Sequence, residues 1–543
     1  TEKAYYVGAS NLYGHNPQDL KLRFQRVSPV HVSPHNPDIV YHTSQYVHKT
    51  TDDGETWETI SPDLTAFEED KQVISGSPIT RDITGEEYYS TIYAIRESPI
   101  KAGVIWTGSN DGPVHVTVDN GKSWKNVTPK KLPLGGRVDA VEPSPHDPAK
   151  AYIAVLRYQL GDTKPYIYRT NDYGKSWVLL TDGTNGIGND IPTRVIREHP
   201  DREGLLFAGT ERGVFVSFDD GEKWHEFQQN LPLTPITDLK LHQGDLILST
   251  MGRGYWIADD IHTLVNYSGT SDKSQLFIAN KSIRNRGTYM RVDNASTPQY
   301  TDPGVSIDYY LTGASVNPIK LEILNTENKT MNTFYSDTTD QRSAEEVIED
   351  MSLNSVTYIV DKKLKNEAGL HRFIWDMSAI GPWHKNSNRR YKNGPMVVPG
   401  KYMARLTVDG HILEQSFELL PDPRLKDTNT ELDDIQKQFD FTMKLQTLLD
   451  EARKQENSLN SELNKLKKGD MVAKEQRLSI ERALEKLRKK DIIYPQPKII
   501  DQMEYLYYMT NGADQMMGKD AYNQLENLET QYHMVVEELG SEK

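Results

Sequence analysis

A mainly β chain with a helical C-terminal region is what this sequence predicts, and three observations predict it. A box of the form Ser/Thr-x-Asp-x-Gly-x-x-Trp recurs four times in the first half. Strand-like alternation then continues without the box to about residue 420. From Arg424 onward proline and glycine become scarce and apolar residues take up the three/four spacing of amphipathic helices.

The boxes run Thr50–Trp57, Thr117–Trp124, Thr170–Trp177 and Ser217–Trp224, with aspartates at 52, 119, 172 and 219. Half of the eight tryptophans fill the same slot. Upstream of each box a proline-led turn precedes an apolar strand: Pro34–Tyr41, Pro99–Trp106, Pro145–Tyr152 and Pro200–Phe207. Asp can bond the amides of its own turn and Gly can take positive φ, so Asp-x-Gly reads as a tight corner between strands. The Trp that follows is expected to bury its face against a neighbouring sheet. One small sheet of about four strands cannot cover both its faces, so several must stack, and radial stacking gives a β-propeller. A fifth unit, Ile236–Ala258, keeps the strands and loses the box. Residues 1–265 are therefore expected to hold about five propeller blades, an incomplete ring.

Residues 266–423 carry alternating strands without boxes, among them Val305–Leu311, Lys320–Leu324, His371–Asp376 and Gly400–Gly410. The last of these, with Ile412–Leu420, read as closing strands of an immunoglobulin- or fibronectin-like β-sandwich, ended by Pro421-Asp-Pro423. In 424–543, Leu432, Ile435, Phe439, Met443, Leu449, Ala452, Leu459, Leu463 and Leu466 mark one helix face. Breaks at Gly469-Asp470 and Tyr494–Pro497 predict an antiparallel helical hairpin or bundle, an element suited to covering a partner's apolar surface.

Composition narrows the function. The 543 residues carry 63 Lys+Arg against 78 Asp+Glu, a formal charge of −15, with no basic stripe interleaved with aromatics, so no nucleic-acid partner is expected. Mean hydropathy is −0.67 and no apolar run approaches a membrane span, so no transmembrane segment is expected. The absence of cysteine excludes disulfides, thiolate metal sites and a cysteine nucleophile. No compact histidine motif suggests a metal, and no cofactor is expected. His31, His35 and His146 flank the proline-led turns and are read as packing there. Position 1 is Thr and no signal-peptide pattern follows, so any export signal is expected to be absent from this chain.

The four boxes resemble the Asp-box, or bacterial neuraminidase, repeats of sialidases, sortilin-type receptors and xyloglucanase-type glycoside hydrolases. The order of box repeats, a sandwich with Trp375-Asp and Pro399-Gly-Lys-Tyr, Asp422-Pro-Arg and a helical tail is similar to large secreted bacterial proteins of sortilin-like or glycosyl-hydrolase-like kind, as is Gly252–Asp260. That resemblance implies a longer propeller region than five units. The chain would then be a C-terminal portion, with an N-terminal propeller half or another protein subunit completing the ring. It also implies a secreted, cell-surface or periplasmic bacterial location, and boxes on the outer turns, away from the central pocket.

Asp52, Asp119, Asp172, Asp219, Trp57, Trp124, Trp177 and Trp224 are accordingly read as scaffold. A task repeated four times is unlike catalysis, where acid and base need distinct environments. Segments that contain a close glycine pair, Gly108–Gly112, Gly209–Gly213 and Thr250–Gly254, are expected on the innermost strands. They offer Asp111 and Glu211 as candidate acid/base carboxylates and Arg212 and Arg253 as candidate ligand-binding groups. Arg137 and Arg194, just before inferred innermost strands, join the ligand-binding set. Trp383–Tyr391 is a candidate contact loop. Neither the Arg-Ile-Pro of a sialidase nor Gly-x-Ser-x-Gly occurs. The sequence reading is an extracytoplasmic protein that binds a glycan or protein partner. Its alternatives are a xyloglucanase-like hydrolase and a sortilin-like peptide receptor.

Overall fold

The computed structural model describes residues 15–74, 88–267, 272–279, 281–286, 303–337, 363–383, 394–466, 471–488 and 496–541. Residues 384–391 of the candidate contact loop lie outside them. The chain divides into two compact units, Thr1–Gly269 and Thr270–Lys543.

The first unit is a series of small antiparallel sheets in chain order. The first has strands β1–β4 (Val30–Val32, Val40–Thr43, Val47–Thr50, Glu58–Thr59) and the second β5–β8 (Ile92–Glu97, Ile105–Ser109, Val114–Thr117, Lys125–Asn126). The third has β9–β12 (Arg137–Pro143, Ala151–Leu156, Ile167–Thr170, Val178–Leu179) and the fourth β13–β16 (Thr193–Glu198, Leu206–Thr210, Gly213–Ser217, His225–Glu226). The fifth has three strands, β17–β19 (Ile236–His242, Asp245–Thr250, Tyr255–Ala258). First strands pack on first strands, β5 on β9, β9 on β13 and β13 on β17, so these are the innermost of each sheet. Every residue of β10 and β14 is buried, as expected of strands covered on both faces.

Each box is the turn between third and fourth strands, and its bonds repeat. In the second sheet, Thr117 Oγ1 donates to Asp119 Oδ1 (2.7 Å) and accepts from Gly121 N (3.0 Å). The Asp119 carboxylate accepts from Ser123 N (2.9 Å) and Ser123 Oγ (2.5 Å). Asp52 and Asp172 make the same set, and Asp219 lacks only the hydroxyl bond because Lys223 replaces Ser.

The box also joins sheet to sheet. Trp124 Nε1 donates to Ile60 O (2.8 Å), Trp177 Nε1 to Val127 O (2.6 Å) and Trp224 Nε1 to Leu180 O (3.0 Å). Each acceptor directly follows the fourth strand of the preceding sheet. The box glycine packs on the same residue. A Cβ on Gly174 would lie 2.5 Å from Val127 Cβ, and one on Gly221 2.7 Å from Leu180 Cδ1, at φ of +80° and +91°. Glycine is thus required twice over, by backbone conformation and by close approach. The expectation of four buried indoles needs correction. Trp224 is 2% exposed, whereas Trp57, Trp124 and Trp177 are half-buried. Trp124 and Trp177 lie along the seam between sheets with one edge wet, and Trp57 packs edge-on against His42 of its own sheet.

The proline-led turns add a second link. His35 Nε2 lies 2.8 Å from Ser98 O and His146 Nε2 2.9 Å from His199 O, each in the following sheet. The fifth sheet has no box, and arginine takes over. Arg197 on β13 donates to Leu239 O (3.0 Å) and Asp238 Oδ1 (2.6 Å) on β17.

In the second unit, β20 (Gln275–Ile278), β22 (Val305–Leu311) and β25 (Gly369–Trp375) form a three-stranded sheet. A five-stranded sheet runs β21 (Lys281–Arg284), β27 (His411–Pro421), β26 (Gly400–Val408), β23 (Lys320–Asn325) and β24 (Thr330–Tyr335). Buried residues of both sheets share one core, with Trp375 fully enclosed. The helical region contains α2 (Leu432–Lys465), α3 (Met471–Leu487), α4 (Ile499–Asn511) and α5 (Lys519–Ser541), after the short α1 (His262–Asn266) of the first unit. Glu431 and Asp434 form a capping box at the start of α2.

The buried side of α2 is shifted from the expected face. Phe441, Leu445 and Leu448 join Leu449 and Ala452 in the helical core, while Leu432 is exposed and Phe439 packs on the sheet core. A helix serving two partners has two apolar sides, and a single-face pattern mixes them. Arg284 donates to Asp514 through Nη1 (2.7 Å) and Nη2 (2.9 Å), and Arg286 Nε donates to the same carboxylate (2.7 Å), tying β21 to the α4–α5 connection.

Gly174→Ala should lower stability by about 3 kcal/mol, combining the strained φ with overpacking on Val127. Gly161→Ala, at φ +76° with nothing within 4 Å, should lose only about 1–2 kcal/mol. Urea midpoints of the two variants measure the difference. Asp514→Asn strands Arg284, whose side chain is 1% exposed, and should cost the second unit about 3–5 kcal/mol in the same assay.

Candidate functional site

Antiparallel connectivity sends the boxes and proline-led turns to one end of each sheet. The second-to-third-strand turns and the entries into the innermost strands lie at the other. All six candidate acid, base and ligand-binding residues fall at that second end. Two placements are corrected. Asp111, Glu211, Arg212 and Arg253 lie on turns between second and third strands, not on innermost strands. Arg137 and Arg194 lie inside innermost strands, as the first residue of β9 and the second of β13, not before them. Glycine pairs mark a tight turn as readily as an inner strand, and the pairing register decides which.

Every innermost strand from the second sheet to the fifth carries one bulge near its entry. The unpaired residues are Tyr93, Asp139, Arg194 and Thr237. A bulge re-aims its side chain, and bulges gather beside functional sites. Around them runs a ladder of charges. Arg137 bonds Asp139 through Nε and through Nη2 (3.2 Å), and its guanidinium lies 4.5 Å from the centre of the Tyr93 ring. Arg194 Nη1 is 3.8 Å from Asp139 Oδ2, Arg194 Nε is 2.5 Å from Glu211 Oε1, and its guanidinium is 5.8 Å from the Tyr158 ring centre. Burial pushes the Asp139 carboxyl up, against the pull of Arg137 and Arg194.

The remaining candidates separate. Asp111 is buried and accepts from Ser109 Oγ (2.6 Å), Ala66 N (2.9 Å) and Phe67 N (3.3 Å), pinning the chain that follows the first sheet. Arg212 pairs with Asp190 at 3.0 Å, both exposed. Arg253 is exposed, with its amide bonded to Thr250 Oγ1 (3.2 Å).

A second level lies three residues along each strand, at Arg96, Glu142, Arg197 and Lys240, about 10 Å deeper at strand rise. Sequence reasoning did not single these out. The available signal was their constant offset from the bulged position, and that position appears only once the pairing is known.

The loop end also exposes apolar side chains. Leu134 is 94% exposed, Leu233 73%, Leu160 57%, Met251 54% and Tyr158 41%. The Leu134 loop is held firmly, because buried Arg157 donates Nη1 to the carbonyls of Pro133 (2.9 Å), Leu134 (2.8 Å) and Gly135 (2.6 Å). Gly135 in turn lies beside Leu160.

No family model matches the chain, and no curated protein matches it. Solved structures resemble it distantly. The GH74 xyloglucanase from Xanthomonas campestris is 12% identical at TM-score 0.33, covering 71% of this chain and 63% of its own. Ycf48 bound to D1 peptide is 16% identical at TM-score 0.28, covering 41% and 62%. The Swd1 beta-propeller domain of Myceliophteria thermophila is 12% identical at TM-score 0.28, covering 44% and 64%. The chain thus spans less than two thirds of each. Likenesses at this distance transfer no activity.

Among the scaffold aspartates, hydrogen bonds led by those from Thr56 and Ser123 lower Asp52 and Asp119 from 3.8 to about 2. A depressed folded-state pKa stabilises the fold fully above the ordinary carboxylate value, and that stabilisation disappears as pH falls through about 2. Stability followed from pH 5 to pH 2 should fall in this window, and Asp119→Asn should flatten the fall.

Proposed function

We propose that the loop end of the first unit is a docking face for an extended protein segment, and that the protein is a binding module and not a hydrolase. The observation that supports this most is Leu134. It is almost wholly exposed on a loop that buried Arg157 clamps through three carbonyls. A fixed, exposed leucine beside Leu160 and Tyr158 is an anchor for a partner's apolar side chain. The ladder around Arg194 supplies polar selectivity at its border. The carboxylates a hydrolase would need are engaged, Asp111 as a loop pin and Glu211 by Arg194.

In this reading the sheets of the first unit are blades of a box-type propeller. The two-sheet part of the second unit is its immunoglobulin-like companion. The chain works outside the cytoplasm within a surface or secreted assembly, where an N-terminal propeller half or another subunit completes the ring. The box turns and their indole seams support the blade assignment, and the resemblance of those turns supports the location.

An array of extended peptides and a panel of β-glucan and xyloglucan oligosaccharides, offered to the full chain, separate the readings. Peptides with spaced apolar residues should be retained, and Leu134→Asp with Leu160→Asp should weaken them at least about tenfold with the thermal transition unchanged. Reducing-sugar release from the glycans, lost in Glu211→Gln, would overturn the proposal.

A further inference from the structure

The inner level of charges carries an inference beyond docking at the loops. Arg197 takes both nearby carboxylates, Asp238 directly (2.6 Å) and Glu142 at 3.5 Å, and gives further donors to Leu239 O and Ile196 O. Arg96, on β5 across β9 from Arg197, is half-buried and makes no ion pair or side-chain hydrogen bond with any described residue. Lys240 adds positive charge at the same level of β17 and is exposed. A guanidinium carries five donors in a planar fork, and with no described residue accepting from it the fork of Arg96 is open to solvent or to a ligand.

We propose that Arg96 is the seat of a small oxyanion site on the innermost strands, taking a carboxylate or phosphate group bidentately. Arg197 is the positive neighbour that holds Glu142 and Asp238 within ion-pair distance, while both carboxylates act on Arg96 only through space. The charge of Arg197 lowers the pKa of Arg96 and burial adds to this, against the pull of Glu142 and Asp238. An oxyanion suits the unpaired fork, which matches two oxygens of either group. The proposal does not depend on what docks at the loops.

Calorimetric titration of the full chain with inorganic phosphate, and separately with acetate, at constant ionic strength tests it. One saturable site is expected for at least one anion, and phosphate against acetate distinguishes a phosphorylated from a carboxylate ligand. Arg96→Gln should weaken that site at least about tenfold, and Arg96→Lys, which keeps the charge without the fork, should weaken it by a smaller factor. In anion-free buffer Arg96→Gln should unfold close to the wild-type temperature, since it removes a like charge facing Arg197 together with a through-space counter-charge to Glu142 and Asp238. Absence of saturable heat for both anions, or undiminished binding by Arg96→Gln, would overturn the site. So would a marked loss of thermal stability in that variant without anion, which would make Arg96 a structural residue.

Discussion

The first unit depends on one repeated contact, an indole N–H meeting the carbonyl just past the fourth strand of the preceding sheet. A small sheet has two faces and too few strands to shield either alone. The indole bond sets the distance and rotation at which the next sheet covers it, and the box glycine lets the backbones come close enough for the bond to form. The aspartate works one step back. By fixing the corner with serine, threonine and backbone donors, it presents the Trp and the Gly to the same residue. Disturbing the corner therefore disturbs the packing of two sheets, although the corner itself is mostly wet.

This division of labour leaves the opposite end free for recognition. Scaffold turns and recognition loops occupy different ends of the same strands, so loop residues can change without touching the seams. The inner strands connect the two ends. Their bulges turn Tyr93, Asp139 and Arg194 out of the regular pleat into one ladder, in which each arginine meets a carboxylate and an aromatic ring. Such a ladder holds the strand entries in register and offers paired charges to a ligand, a selective surface with little net charge.

Much of the scaffold is legible in the sequence because it is local. Thr50 through Trp57 contains nearly every group of its own corner, so the motif and its structure coincide. The helical tail is legible as helix for the same reason, while its buried side is not, since Phe439 and Phe441 answer to different neighbours. The site is less legible. Asp111 and Glu211 sit in similar glycine-flanked turns, yet one pins a distant loop and the other meets Arg194, and only non-local pairing separates them. Asp139, Glu142 and Arg197 carry no motif at all. Their roles follow from a one-residue bulge, and a bulge is a property of two strands together.

The last joint of the first unit differs in kind from those before it. Between each consecutive pair of the first four sheets an uncharged indole meets a carbonyl, an attraction indifferent to dissolved ions, even where Lys150 and Arg169 add pairs to Asp220 at the third-to-fourth joint. Between the fourth and fifth, Arg197 reaches Asp238, whose side chain is 60% exposed. Mobile ions shield an exposed pair of this sort. The terminal sheet thus has no indole latch, and brine should weaken its polar joint more than those the indoles hold.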